Sequence, residues 1–127
     1  MSAPPPIKFA IADDHKIFRD GIKMALSARP HLKLLWEAQD GKDMMHKLAL
    51  KKPDLLLLDI RMPELSGFDV LDVLLENHQG SLKNTAIFVL SSTLDDRDLN
   101  KAVSYPIVTK FMSKPLTFEM VSELLSK

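Results

Sequence analysis

The sequence predicts a doubly wound α/β domain: five parallel strands in the order 2-1-3-4-5, with helices on both faces of the sheet. Three observations predict it. Strand-like and helix-like segments alternate five times along 127 residues, the pattern of a parallel sheet wrapped by helices. The first, third and fourth strand segments are near-continuous apolar runs, as central strands buried on both faces are. The second and fifth carry charges inside the run, as edge strands do: Lys33 and Glu37 in one, Lys110 in the other.

Residues 1–6, ending in Pro4-Pro5-Pro6, read as a short solvated tail, and residues 7–127 as one domain. Ile7 to Ala12 is the first strand and runs into Asp13-Asp14. A helix follows from about His15 to Arg29, with Phe18, Ile22 and Ala25 on one face, and Pro30 stops it. Leu32 to Ala38 is the second strand. Gly41 and Lys42 open a helix whose apolar face carries Met45, Leu48 and Ala49, and Pro53 ends that region.

The third strand, Asp54 to Asp59, is four leucines between two carboxylates. Met62-Pro63 and Gly67 read as loop and turn, and a helix from Gly67 to Asn77 packs Phe68, Leu71, Leu74 and Leu75. The fourth strand, Ala86 to Leu90, closes on Ser91-Ser92-Thr93. A helix from Asp95 to about Ser104 has a thin apolar stripe of Leu99, Ala102 and Val103, and Tyr105-Pro106 breaks it. Ile107 to Ser113 is the fifth strand, ended by Lys114-Pro115. Thr117 caps a last helix with Phe118, Val121 and Leu125 inward.

Composition narrows the function classes. Lys+Arg and Asp+Glu both number 17, so no electrostatic footprint for nucleic acid or a membrane surface stands out. The absence of cysteine excludes disulfides, zinc-thiolate sites and thiol catalysis. No apolar run approaches the ~20 residues that span a bilayer, and the first residues lack the basic and apolar regions of a secretory signal. A cytoplasmic protein is expected.

In open parallel sheets, ligands collect where neighbouring strands part at their carboxyl ends. Strands one and three part there in this order, and their ends carry Asp13, Asp14 and Asp59. Two unit charges ~5 Å apart repel by about 3 kcal/mol at an effective dielectric near 20. Either some protonate or a cation joins them. An all-oxygen ligand set favours a hard ion, and Mg²⁺ accepts few protein ligands because it keeps its waters. Mg²⁺ beside a nucleophilic carboxylate suits phosphoryl transfer through an aspartyl phosphate. Ser91 and Lys114, at the ends of strands four and five, add a hydroxyl and a point charge for a phosphoryl oxygen.

Four segments carry a family resemblance: ADDH with Asp13-Asp14; LLLDIRMPELSG with Asp59, Pro63 and Gly67; VLSS with Ser91; and FMSKP with Phe111, Lys114 and Pro115. Together they resemble the receiver domain of two-component response regulators, a flavodoxin-like fold, over Ile7 to Lys127. The resemblance implies a phospho-acceptor rather than an enzyme with a separate substrate. Asp59 would take a phosphoryl group from a sensor histidine kinase or phosphotransfer protein. Asp14, Asp59 and the backbone carbonyl of Arg61 would hold Mg²⁺, with Asp13 acting largely through water. Ser91 and Lys114 would contact the phosphoryl oxygens, and the Lys114-Pro115 peptide would be cis. Phe111 resembles the switch aromatic that turns inward as Ser91 moves. A downstream protein would read the face made by the fourth helix, fifth strand and last helix, the chain itself being a monomer or weak dimer.

The chain departs from the family pattern in places. Ser104-Tyr105-Pro106-Ile107 replaces the usual small segment, and the loop from Gln79 to Thr85 is long. Ser91 stands where threonine is commoner and Phe111 where tyrosine is frequent. Arg61 and Thr93 occupy variable positions flanking the phosphoryl group.

Other readings compete. Asp13-Asp14 alone would read as a helix cap, Lys114-Pro115 as a surface turn, Phe111 as static core, and His15 as a solvated first-turn residue near the acid pair. A flavin-binding domain of this architecture would need a hydroxyl- and glycine-rich loop after the first strand, where DDHK offers two carboxylates. A haloacid-dehalogenase-like phosphatase would need an acid at Arg61. A stand-alone receiver is expected over one excised from a larger DNA-binding transcriptional regulator, although ADDHKIFRDG resembles the opening of such regulators.

Overall fold

The computed structural model describes residues 6–62, 65–77, 84–91 and 96–113. Its elements are β1 (Ile7–Ala12), α1 (Lys16–Ser27), β2 (Leu32–Ala38), α2 (Gly41–Leu50), β3 (Leu55–Asp59), α3 (Gly67–Asn77), β4 (Ala86–Ser91), α4 (Asp96–Val103) and β5 (Val108–Ser113). The five strands form one sheet in the order β2-β1-β3-β4-β5, and every neighbouring pair is parallel. The expectations for the tail before Pro6, Pro63, most of the loop after Asn77, Thr93, Asp95, Lys114, Pro115 and the last helix lie outside the described residues.

Alternation along the strands separates two apolar layers, because successive side chains point to opposite faces. Phe9 and Ile11 of β1, Leu55 and Leu57 of β3, and Phe88 and Leu90 of β4 join Ile22 and Leu26 of α1. Ala10 and Ala12, Leu56 and Leu58, and Ile87 and Val89 pack with Met44 and Leu48 of α2, Val70, Leu71 and Leu74 of α3, and Ala102 of α4. β3 is buried along its whole length. It therefore needs apolar residues up to its carboxyl end, which the run from Leu55 to Leu58 provides.

Two helical faces differ from expectation. In α1 the buried residues are Ile22 and Leu26, with Phe18 half-buried, while Ala25 is exposed. In α2 Met44 and Leu48 are buried and Met45 is half-buried, while Ala49 is exposed. In α1 the larger Leu26 is buried in place of Ala25, which removes more apolar area from water; in α2 size does not decide, since Met44 is buried over the equal-sized Met45 and Leu50 is exposed. Val70 of α3 is a further core residue beyond the expected set. Asp40 caps α2, its side chain accepting from the Asp43 amide at 2.7 Å, while the helix begins with the expected Gly41.

The departure at Ser104-Tyr105-Pro106 has a structural role. Tyr105 is buried, its ring stacks on Phe68 of α3 with centroids 6.2 Å apart, and its hydroxyl donates to Asp72 at 2.6 Å. Lys101 of α4 sits 4.6 Å from the centroid of the Phe68 ring, a cation–π contact. α4 buries only Ala102 among its residues, so this aromatic pair anchors it to α3.

Burial, and then the bond to Asp72, push the Tyr105 hydroxyl up to about 12 from 10.0. Its contribution to stability is thus complete below the unfolded value near 10 and is lost as pH rises through about 12. Tyr105→Phe keeps the stack and removes the bond. It is expected to cost about 1 kcal/mol at neutral pH and to flatten the alkaline part of the stability profile. Urea titrations at neutral and alkaline pH check this; an unchanged alkaline slope would count against it.

Candidate functional site

The site forms where β1 and β3 end side by side. Their ladder pairs Ala12 with Leu58, so Asp13 and Asp59 are the next residues on each strand. Both continue the alternation of Phe9-Ile11 and Leu55-Leu57, which sends them to one side of the sheet edge. Asp13 and Asp59 are buried at 0% and 1% exposure. The Asp14 side chain stands at the mouth, 29% exposed. Ligand atoms from Asp13, Asp14, His15 and Asp59 all lie within 4.8 Å of one another.

Backbone bonds hold these carboxylates. The amide of Asp13 donates to the Ala38 carbonyl at 3.0 Å, extending the β1–β2 ladder. Asp13 Oδ1 accepts from the His15 amide at 2.8 Å, and Asp59 Oδ1 accepts from the Arg61 amide at 3.2 Å. The second oxygens of Asp13 and Asp59 are buried as well. The first helix is not capped by the acid pair: His15 is the cap residue and its side chain makes no capping bond. Its ring is 66% exposed, as a solvated residue would be, yet Nδ1 lies 3.2 Å from Asp13 Oδ1 and 3.0 Å from Asp14 Oδ1.

The loop after Asp59 is pinned at both ends. The Ile60 amide donates to Leu90 of β4 at 3.1 Å, and the Gly67 amide returns to the Ile60 carbonyl at 3.1 Å. The Arg61 guanidinium reaches Asp98 of α4 at 2.5 Å. A cavity of about 280 Å³ lies beside this ion pair, lined by Ile60, Met62, Ser66, Phe68 and Lys101 as well as the pair itself. Ser91 ends β4 fully buried. Phe111 of β5 is half-buried and packs with the α2–α3–α4 layer. Lys114, the expected cation, and the prolines Pro63 and Pro115 lie outside the described residues.

A second charged group backs the first. Arg19 of α1 donates through Nε to Glu37 Oε1 at 2.9 Å and through a terminal nitrogen to the Asp13 carbonyl at 2.7 Å. Lys23 binds the other Glu37 oxygen at 2.6 Å, and Lys47 of α2 donates to the Glu37 carbonyl at 2.6 Å. Burial alone would raise the Glu37 carboxyl, but the bonds from Lys23 and Arg19 outweigh it and hold the group below its ordinary range. In the sequence Glu37 stands out only as an edge-strand charge, because its partners lie 14 and 18 residues away and obey no local period.

The donor set is three carboxylates and one imidazole in a chain without cysteine, which suits a hard cation better than a thiophilic one. The acidic cluster can hold a metal ion. The chain matches the response regulator receiver domain over residues 9–126. It belongs to that family. Among similar proteins, the response regulator protein VraR of Staphylococcus saprophyticus is 29% identical over 122 residues, 96% of this chain and 56% of that protein. Protein-glutamate methylesterase/protein-glutamine glutaminase 3 of Geobacter sulfurreducens is 31% identical over 109 residues, 86% of this chain and 28% of that protein. This receiver domain therefore spans about half or less of these relatives. The crystal structure of a two-component response regulator from Cytophaga hutchinsonii shares the fold, with a TM-score of 0.87 at 24% identity over 95% of this chain and 96% of that one. Among the described residues of the receiver, no helix is long and apolar enough to cross a membrane.

Proposed function

We propose that Asp59 is a phosphoryl acceptor serving a sensor histidine kinase or phosphotransfer protein, and that its modification switches a protein-binding face. The observation that carries this reading is the convergence of Asp13, Asp14 and Asp59 at the parted ends of β1 and β3, in a chain of the receiver family. Mg²⁺ fits the oxygen-rich donor set. Asp14, Asp59 and the Arg61 carbonyl would hold it, with Asp13 reaching it through water. When bound it neutralises charge on the transferring phosphoryl oxygens.

The chain's own residues do the rest. An Asp59 carboxylate oxygen forms a bond to phosphorus as the donor's phosphorus–nitrogen bond breaks, and the imidazole leaves with the electron pair. Burial of Asp59 at 1% exposure keeps bulk water from competing at the nucleophile. The Arg61 amide, bonded to Asp59 Oδ1, fixes the carboxylate's rotamer. Ser91 and Lys114 then contact the new phosphoryl oxygens.

Readout falls to the face that carries α4 and β5. Leu99 and Val103 on α4 are 39% and 59% exposed, an apolar stripe a partner can cover, and the adjoining cavity gives α4 room to shift. Ser91 and Phe111 would move together as the equilibrium between two arrangements tips. The test is intact mass after incubation with acetyl phosphate or phosphoramidate. A gain of one phosphoryl group that requires Mg²⁺ is expected. No gain from any donor, at any Mg²⁺ concentration, would sink the reading.

A further inference from the structure

We propose that Arg19, clamped by Glu37, is a positioning residue for the metal site: it fixes the peptide that joins Asp13 to Asp14 and so sets how the two acids stand relative to each other. The inference rests on the metal-assisted reading of Asp59 above and assigns the site a supporting residue from α1.

The Asp13 carbonyl belongs to the peptide between the two acids. With β1 held in place, the orientation of that peptide sets ψ of Asp13 and φ of Asp14, and so how Asp14 leaves the strand end beside Asp13. The preceding peptide is held by the Asp13 amide on Ala38, and this one by the Arg19 guanidinium on its carbonyl at 2.7 Å. The Arg19 side chain is only 11% exposed, so water is a poor substitute for this bond.

A guanidinium can do this because it is a rigid fork. Nε is spent on Glu37 of β2 while a terminal nitrogen reaches past the end of β1. Lysine offers one point of attachment and can satisfy either partner but not hold both in register. Glu37 is itself immobilised, by Lys23 on its other oxygen and by Lys47 on its carbonyl, and Lys47 is tied in turn to Asp43 at 3.1 Å. The acid pair is thus braced through Arg19 and Glu37 to both α1 and α2.

Glu37 has a second duty. An unneutralised guanidinium beside the acid pair would oppose a divalent cation. Paired with Glu37, which it shares with Lys23, Arg19 supplies the hydrogen bond with part of its charge offset. Mg²⁺ makes the arrangement matter, because it demands near-octahedral oxygen geometry and tolerates little misplacement.

The experiment measures Mg²⁺ affinity by titration calorimetry on the unphosphorylated chain, for wild type, Arg19→Met, Arg19→Lys and Glu37→Gln. Urea titrations without Mg²⁺ run beside them. Loss of a group that orients a metal ligand typically weakens binding about 10-fold or more, and that is the rise in Kd expected for Arg19→Met. Arg19→Lys and Glu37→Gln are expected to show a smaller rise, with urea midpoints close to wild type. They decide the matter if Arg19→Met does not fold. In phosphorylation assays the Mg²⁺ concentration for half-maximal rate should rise while the rate at saturation stays near wild type, a split that a general loss of folding would not give. Folded variants with wild-type Mg²⁺ affinity overturn this proposal alone. A wild-type chain that binds no Mg²⁺ overturns the metal-assisted reading and this proposal with it.

Discussion

Asp59→Asn is expected to gain no phosphoryl group from any donor and, without Mg²⁺, to be more stable than the wild type. The first effect removes the nucleophile and leaves an amide of the same shape. The second follows from the company Asp59 keeps. Its ligand atom lies within 4.8 Å of those of Asp13 and Asp14, and like charges at ~5 Å repel by about 3 kcal/mol at an effective dielectric near 20. Asparagine removes one of the three charges and offers an amide donor to its neighbours. A gain of about 1–2 kcal/mol is expected after the rest of the site relaxes.

Mg²⁺ should reverse that order of stability. A ligand at 100 times its Kd stabilises the state that binds it by about 2.7 kcal/mol, and the wild-type site gathers one more carboxylate to use it. Urea midpoints for both chains, with and without Mg²⁺, together with intact mass, check the expectation. If Asp59→Asn is modified as readily as the wild type, the acceptor is another residue. If Mg²⁺ stabilises both chains equally, Asp59 is not among its ligands.

Much of the frame was legible because strands report their surroundings locally. The leucine run from Leu55 to Leu58 marked a strand buried on both faces, and Lys33, Glu37 and Lys110 marked the edges, which is enough to select the observed order. Asp13 and Asp59 were legible as a pair for the same reason: each follows its strand's apolar run by one residue. Helix faces were harder. Ala25 and Leu26, or Ala49 and Met44, sit on overlapping stripes, and the choice depends on how the helix lies across a twisted sheet. Side-chain size favours Leu26 over Ala25 but does not separate Met44 from Met45.

Contacts between distant residues left no trace in sequence. Arg19 meets Glu37 across 18 residues and Arg61 meets Asp98 across 37, distances with no periodicity to read. His15 depended on a rotamer: neither its ring orientation nor its approach to both carboxylates has a local sequence signal. Tyr105 stood out only as a departure from a family pattern, and its bond to Asp72 required the α3–α4 packing to be known.

Gly67→Ala is expected to damage both the fold and the site, for a reason of space rather than backbone freedom. A Cβ there would lie 2.6 Å from the Asp59 carbonyl oxygen, 2.6 Å from the Ile60 Cα and 3.2 Å from the Asp59 carbonyl carbon. All three are backbone atoms, so no side chain can swing away. The start of α3 must lift off the end of β3 or drag the Asp59 peptide with it. Overpacking of this kind costs roughly 1–3 kcal/mol, occasionally more, and here part of the displacement falls on the phosphoryl acceptor. The Gly67 amide would also be pulled from the Ile60 carbonyl it now meets at 3.1 Å. Gly21→Ala is the internal control. Gly21 is a mid-helix position in α1 where an added Cβ meets nothing within 4 Å, so alanine there should stabilise by about 0.5–1 kcal/mol through helix propensity. Opposite signs for two identical substitutions, read from urea midpoints, and slowed phosphorylation in Gly67→Ala alone are the expected result. Equal effects would mean that α3 yields freely, and that the close seat of Gly67 on the Asp59 peptide does not hold the acceptor in place.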